Sequence, residues 1–351
     1  MHEQPLSAHD LQPVIQLEGR GRFLRVLIDF ADRCNLECIM CHYSLPGRAQ
    51  GGAEIPLEEF ERLAAELLPY TYHLGLSCAT EPFMYRDFLE VLSVVAAYDV
   101  PNAYYITNAT MLTERAIQAT LRARVAMVSI SLDGATRETF ERIRRKASFD
   151  KVLANVRRLR DMKRGLGLDR PRLQFSVTLM RSNIEELEPL LHLIKELGGQ
   201  EVDIRHVVPY EGLESCELTL FEHKALTNRQ LDAARALAAA LDLDLVNCPA
   251  NFELEQHAPA AGSHLREMCR MPWTMTLIHP DGGVVPCDNW YTHELMGNVK
   301  EQSFEEIWNC SKYRKLREEI LSGSPGPSCS RCPAAGCGSV DRKESFERRK
   351  I

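Results

Sequence analysis

Residues 23–41 read FLRVLIDFADRCNLECIMC. The run Phe23–Phe30 has the length and the β-branched, aromatic composition of a buried strand. It gives way at Ala31-Asp32-Arg33 to a loop carrying Cys34, Cys38 and Cys41. Chemistry placed directly after a strand points to a parallel α/β sheet, in which residues just past the strand C-termini build the site. The downstream sequence repeats the pattern. Strands are predicted over Tyr72–Cys78, Ala103–Asn108, Met127–Asp133, Leu173–Met180 and Glu201–Val207. Helices are predicted between them, over Pro56–Leu68, Tyr85–Tyr98, Thr113–Arg124, Phe149–Gly165 and Ile184–Leu197. Pro56 suits a first helical turn and Gly198-Gly199 a helix stop. Six such βα units imply a parallel sheet with helices packed outside it.

Farther along the period changes. Asn228–Leu241 reads as one more helix, and Trp273–His279, the turn Pro280-Asp281-Gly282-Gly283 and Val284–Cys287 read as a β-hairpin. Ser303–Ile320 reads as a helix opened by a capping box, with Ser303 as N-cap and Glu306 three residues on. A Gly/Ser/Pro stretch, Ser322–Ser328, leads into the last cysteines. The expected organisation is an extension over 1–22, the α/β domain over 23–210, a linker with a helix over 211–250, a cysteine-rich domain over 251–340 and a charged tail over 341–351.

With 351 residues, 45% of them hydrophobic and 26% charged, the chain can bury a sizeable core. Acidic residues outnumber basic ones by 49 to 42, so a general nucleic-acid coat is not expected. The thirteen Lys and Arg between Arg137 and Arg172 read as a solvated helical face. Met1 to Gly21 show no basic segment followed by an apolar one, and no uncharged run is long enough to span a bilayer. No membrane association and a cytoplasmic location are expected. The twelve cysteines do not suit a disulfide scaffold, which is short and loop-rich, and in a reducing compartment they read as metal or redox ligands. Eight of them fall into two districts, Cys34, Cys38 and Cys41 in one and Cys269, Cys287, Cys329, Cys332 and Cys337 in the other, while Cys78, Cys216, Cys248 and Cys310 are scattered between and read as buried thiols. Two metal centres are implied.

Three thiolates on one loop fall one short of a structural zinc site. They are enough to hold three irons of a cubic cluster and leave the fourth iron open. The CxxxCxxC spacing directly after the first strand resembles the radical S-adenosylmethionine (SAM) superfamily, and further stretches match in order. Ser77-Cys78-Ala79-Thr80-Glu81-Pro82 resembles that family's GGEP segment, with Ala79-Thr80 in place of the two glycines. Thr107-Asn108 resembles its TN pair, and Ser129–Gly134 its ribose-contacting strand. The resemblance implies a partial (β/α)6 barrel, a [4Fe–4S] cluster on Cys34, Cys38 and Cys41, and SAM held by Thr80, Glu81, Asn108, Ser131 and Asp133. Val177–Asn183 stands where the family contacts adenine and methionine, and Met40 replaces an aromatic residue usual before the third cysteine.

The C-terminal district resembles the SPASM/twitch extension through Cys269, Gly282, Cys287 and Cys329-x2-Cys332, with Pro272-Trp273 and Ile307-Trp308 beside them. One auxiliary [4Fe–4S] cluster on Cys269, Cys287, Cys329 and Cys332 is implied. Cys337 is an alternative ligand, and a structural zinc knuckle is the rival reading, because Cys-x2-Cys serves both metals. Asp288, directly after Cys287, matches the position of a proposed base in relatives, so it is the candidate catalytic base. Trp273, Trp290 and Trp308 read as core.

The expected activity is an oxidoreductase. A 5′-deoxyadenosyl radical takes a substrate hydrogen, the auxiliary cluster accepts an electron, and a reductant such as flavodoxin or ferredoxin supplies the first electron. Only 33 residues precede Cys34, too few for the peptide-binding winged helix of many peptide-modifying relatives. A small polyol, sugar or aminocyclitol is therefore the first expectation for the substrate. Peptide or protein side-chain modification, or redox-neutral epimerisation, is the alternative.

Overall fold

The computed structural model describes residues 12, 14–44, 52–208, 218–252, 269–290, 294–324 and 326–330. The strands are β1 (Leu24–Ile28), β2 (Thr71–Leu76), β3 (Asn102–Thr107), β4 (Met127–Ser131), β5 (Arg172–Leu179), β6 (Glu201–His206), β7 (Asp244–Asn247), β8 (Met275–Ile278), β9 (Gly283–Val285) and β10 (Gly297–Asn298). The main helices are α1 (Leu57–Leu67), α2 (Phe88–Tyr98), α3 (Glu114–Ala123), α4 (Arg137–Ile143), α5 (Phe149–Gly165), α6 (Leu187–Glu196) and α7 (Lys224–Ala240). The predicted elements recur with ends moved by a few residues. The fold class is α/β with a mostly parallel sheet, as the sequence implied. Among the described residues no helix is long and apolar enough to cross a membrane.

The chain divides into two compact units, residues 1–32, 52–104 and 259–338 in the first, and 33–51, 105–258 and 339–351 in the second. In the first, the strand order is β10-β9-β8-β1-β2. The predicted hairpin is present as antiparallel β8 and β9, and β8 also runs parallel to β1, Arg25 beside Met275 and Ile28 beside Ile278. Helix α1 buries Phe60, Leu63, Ala64 and Leu67, a helical spacing that gives one apolar face. Phe60 and Phe88 meet the Phe30 ring edge-on at 5.0 and 6.1 Å, and Tyr85 stacks on it at 5.5 Å. Each such ring contributes roughly 1.5–3 kcal/mol on burial.

The expected helix Ser303–Ile320 forms as two, Phe304–Trp308 and Ser311–Leu321. Its capping box is present at Ser303 and Glu306. The break falls at Asn309, whose side chain bonds both the N–H and the carbonyl of Ile15 at 2.8 Å. Cys310 then starts the next helix by accepting the N–H of Tyr313 at 3.5 Å. A local pattern cannot register a partner almost three hundred residues away.

In the second unit β4, β5, β6 and β7 are parallel neighbours in sequence order. Strand β7 was not expected, because its residues are largely exposed and do not alternate between apolar and polar; pairing to β6 alone makes it a strand. Helix α4 lies within the basic stretch and has no predicted counterpart. It forms because Thr136 caps it and because Phe140 and Ile143 are fully buried. Glu186 adds hydrogen bonds from the Ala135 and Thr136 N–H groups and from the Thr136 and Thr139 hydroxyls. Gly198 ends the α6 region with φ of +84°, a conformation that glycine adopts without strain.

Candidate active site

The three loop cysteines belong to the second unit, and α4 fixes the loop that bears them. The Glu37 N–H donates to the Arg145 carbonyl at 3.2 Å and the Ile39 N–H to the Ile143 carbonyl at 3.0 Å. Ile39 and Met40 pack against the buried cluster of Ile143, Met180 and Val207. Met40 is thus an apolar wedge that seats the loop.

Two of the sulfurs have their own donors. Asn108 Nδ2 lies 3.8 Å from Cys34 Sγ and also donates to Asn35 Oδ1 at 2.9 Å. Its Oδ1 accepts from the Thr110 N–H and hydroxyl at 2.9 and 2.6 Å, and Asn35 Nδ2 closes the circuit on Thr110 Oγ1 at 2.8 Å. Arg144 Nη1 lies 3.9 Å from Cys38 Sγ, while its Nε donates to Asp133 Oδ2 at 2.7 Å. Burial pushes the Cys38 thiol up to about 11, against the pull of Arg144. N–H donors aimed at the sulfurs of a half-buried loop suit thiolates that share their charge with iron, and such bonds tune cluster potentials. Among the described residues no three His, Cys, Asp or Glu side chains converge on a single ion.

Asp133 is fully buried. Its Oδ1 accepts the Thr178 N–H at 2.7 Å, its Oδ2 takes Arg144, and its carbonyl accepts Asn183 Nδ2 at 2.9 Å. Each oxygen of this carboxylate, the candidate ribose contact, thus has one protein donor and keeps a further acceptor lone pair. Ser131 ends β4 opposite Ser176 and is 8% exposed. Arg144 escaped the sequence reading because it sits among basic residues that do face solvent. Its only distinguishing signal was the buried phase of Phe140 and Ile143 just before it.

Thr80 and Glu81 belong to the first unit and follow β2. Both are buried, and the Thr80 hydroxyl donates to the Ala31 carbonyl at 2.7 Å. Ser77 takes φ of +51°, two residues before the Ala79-Thr80 pair that stands in place of the glycines. Asp29, at the end of β1, accepts the N–H groups of Cys78 and Ala79 at 2.8 and 3.1 Å, and burial pushes its carboxyl up despite those bonds. Sequence reasoning missed Asp29, since a single acid at a strand end carries no motif.

Of the C-terminal cysteines, Cys269, Cys287 and Cys329 are half-buried. Cys329 lines a cleft together with Trp290, Met296, Leu316 and Gly326. Cys332 and Cys337 lie outside the described residues. Asp288 is exposed and accepts Asn289 Nδ2 at 3.2 Å, and its charge is felt at the Cys78 thiol. Trp273 and Trp308 are core, as expected. Arg317 lies beneath the Trp308 and Tyr313 rings at 4.6 and 4.9 Å, donating to the carbonyls of Pro272 and Trp308 at 2.8 Å. Trp290 is half-buried and its indole N–H donates to the Glu294 carbonyl at 2.8 Å.

Residues 28–194 match the family model of the radical SAM superfamily, and residues 269–333 match SPASM, an iron–sulfur cluster-binding domain. The chain is 27% identical to the AdoMet-dependent heme synthase of Methanosarcina barkeri, covering 87% of this chain and 88% of that protein. It is 25% identical to the PqqA peptide cyclase of Gluconobacter oxydans, covering 88% and 83%. Its fold is similar to that of Streptococcus suis SuiB bound to S-adenosylmethionine, with a TM-score of 0.68, 13% identity, and 92% and 74% coverage.

Proposed function

The chain is a radical SAM enzyme with a C-terminal SPASM domain, and from that premise we propose that it oxidises a peptide or protein side chain. When bound, S-adenosylmethionine and the iron–sulfur clusters supply a 5′-deoxyadenosyl radical that takes a substrate hydrogen and an acceptor for the electron left behind. The chain's own residues bind and orient. Cys34, Cys38 and Cys41 would hold the first cluster, Asn108 and Arg144 donate toward the Cys34 and Cys38 sulfurs, and Asp133 keeps Arg144 in place. Ser131, Thr80 and Glu81 contribute to the SAM site. Cys269, Cys287, Cys329 and Cys332 hold one auxiliary cluster. Asp288, exposed beside one of those ligands, takes the proton released by the substrate.

The observation that carries the reading is the pair of cysteine districts on one chain, the first with N–H donors already on two sulfurs. The peptide substrate is supported by the similarity to a peptide cyclase, which spans most of both chains. A small-molecule substrate is the second reading, favoured by the similarity to a heme synthase. The peptide-modifying relatives favour the peptide alternative over the polyol, sugar or aminocyclitol expected from the sequence. Cysteine usage supports a reducing, cytoplasmic location, with a flavodoxin or ferredoxin as donor.

Anaerobically reconstituted protein is expected to hold about eight irons and no zinc, and to form 5′-deoxyadenosine from SAM and dithionite. An extract of deuterium-grown cells then identifies the substrate class. Deuterium entering 5′-deoxyadenosine from a protease-sensitive fraction supports a peptide, and from a protease-resistant fraction the small molecule. An iron content of about four removes the electron-acceptor step.

A further inference from the structure

Three contacts that bear on Cys38 come from one place, the end of α4. The carbonyls of Ile143 and Arg145 accept the N–H groups of Ile39 and Glu37, the two residues that flank Cys38. Between them, Arg144 Nη1 reaches the Cys38 sulfur at 3.9 Å. Cys34 is served from elsewhere, by the circuit of Asn35, Asn108 and Thr110. The position of Cys38, unlike that of Cys34, therefore follows the position of α4.

A helix of seven residues does not hold itself in place. On its apolar side Ile143 packs with Met180 and Val207. On its polar side one carboxylate collects four donors. Glu186 Oε2 accepts the Ala135 and Thr136 N–H groups at 2.8 and 3.3 Å, and Oε1 accepts the Thr136 hydroxyl at 3.0 Å and the Thr139 hydroxyl. Burial opposes the charge of Glu186, yet the bonds from Thr139, Ala135 and Thr136 hold its carboxyl below the usual carboxylate range. Capping alone does not account for this arrangement. Thr136 already caps the helix by accepting the Thr139 N–H at 3.3 Å, and Ala135 lies before it. What Glu186 adds is a tie from the start of α4 to the segment between β5 and α6. That segment makes two further ties, from Asn183 Nδ2 to the Asp133 carbonyl at 2.9 Å and from Arg142 Nη2 to the Ser182 carbonyl at 3.2 Å. Bonds to an ionised group are roughly twice as strong as neutral ones, and Glu186 makes four of them.

We propose that Glu186 is a positioning residue for the first cluster: by fixing α4 it sets where Cys38 and the Arg144 donor stand, and through that donor the reduction potential of the cluster. The proposal rests on the reading of Cys34, Cys38 and Cys41 as cluster ligands. Glu186 acts through α4 and exchanges no proton or electron.

The test compares the reconstituted full-length protein, kept anaerobic, with Glu186→Ala, Glu186→Gln and Thr113→Ala. Glutamine keeps the shape and one accepting oxygen. Thr113→Ala removes the side-chain cap of α3 in the same unit and controls for a general loss of stability. Two quantities are read: the midpoint potential of the cluster whose EPR signal responds to SAM, and amide hydrogen exchange resolved to single residues by mass spectrometry. In Glu186→Ala the potential is expected to become more negative, because a donor to a cluster sulfur is weakened. Exchange at the Glu37 and Ile39 N–H groups is expected to rise about tenfold, while that of Thr110 N–H, in the Cys34 circuit, stays within about twofold. Glu186→Gln is expected to restore most of the potential, and Thr113→Ala to leave it unchanged. The proposal is overturned if Glu186→Ala keeps the wild-type potential, if glutamine restores nothing, if Thr113→Ala shifts the potential as far, or if exchange rises equally at Thr110. Should Glu186→Ala not fold, Thr139→Val, which removes one of the four bonds, is expected to move both quantities in the same direction, and no movement overturns the proposal. Iron content and 5′-deoxyadenosine formation in the wild-type preparation report on the cluster reading separately.

Discussion

Cys34, Cys38 and Cys41 share one short loop, whereas Cys269 precedes the Met271–Thr274 turn of helix, Cys287 follows β9 and Cys329 lies in the short helix Pro327–Ser330. In the first region the cysteines are close in sequence and their support is remote: Asn108 follows β3, and Arg144 follows α4. In the second the cysteines themselves are far apart in sequence, beside a compact core of Trp273, Trp308, Tyr313 and Arg317. The two buried arginines differ in the same way. Arg144 faces a carboxylate, Asp133, while Arg317 is held by aromatic faces and two carbonyls. A contiguous motif needs distant residues to tune it, and a dispersed one needs a rigid core to assemble it.

The sharpest way to break this contrast is to remove one ligand from each region. Cys38→Ala is expected to abolish 5′-deoxyadenosine formation and to lower iron by about four per chain. Cys287→Ala is expected to lower iron by a similar amount, about four, while measurable SAM cleavage without product persists. Equal loss of cleavage in both variants would sink the division of labour between the regions.

The buried arginines give the next largest effect. Arg144→Met leaves Asp133 as a buried, uncompensated carboxylate and is expected to cost about 3–5 kcal/mol in urea unfolding of the cluster-free protein. Arg317→Met leaves two carbonyls short of a donor but strands no charge, so about 1–3 kcal/mol is expected. A reversed order would show that the aromatic enclosure matters more than the ion pair.

Smaller still is Asn108→Ala. It opens the Asn35–Thr110 circuit at a cost of about 1–3 kcal/mol, and the same variant is expected to accept a cluster more slowly, followed by absorbance during reconstitution. The smallest effect is expected at Ser303→Ala, which removes half of a capping box in the second region for about 1 kcal/mol of thermal stability. A larger loss there would mean that the Phe304–Trp308 helix governs the C-terminal core.

Most of the parallel strands and their helices were legible because apolar residues recur with the period of each element. The loop cysteines and Glu81, Asn108 and Asp133 were legible because they fall in motifs at fixed offsets from those strands. Helix α4 and strand β7 were not. The first shares its sequence with a run of charges, and the second has no apolar alternation at all. Arg144, Asp29 and Glu186 were missed for one reason: each is an ordinary charged residue whose role depends on which groups surround it.

By itself the sequence determined the element types, the cysteine loop and the order of the motifs, since these follow from local period and spacing. Tertiary structure alone decided that β8 pairs with β1, that one basic residue of thirteen reaches the Cys38 sulfur, and that the Ser303 helix breaks at Asn309. Each of these depends on desolvation and hydrogen bonding between residues far apart in the chain. Those forces act only once the fold has brought the partners together.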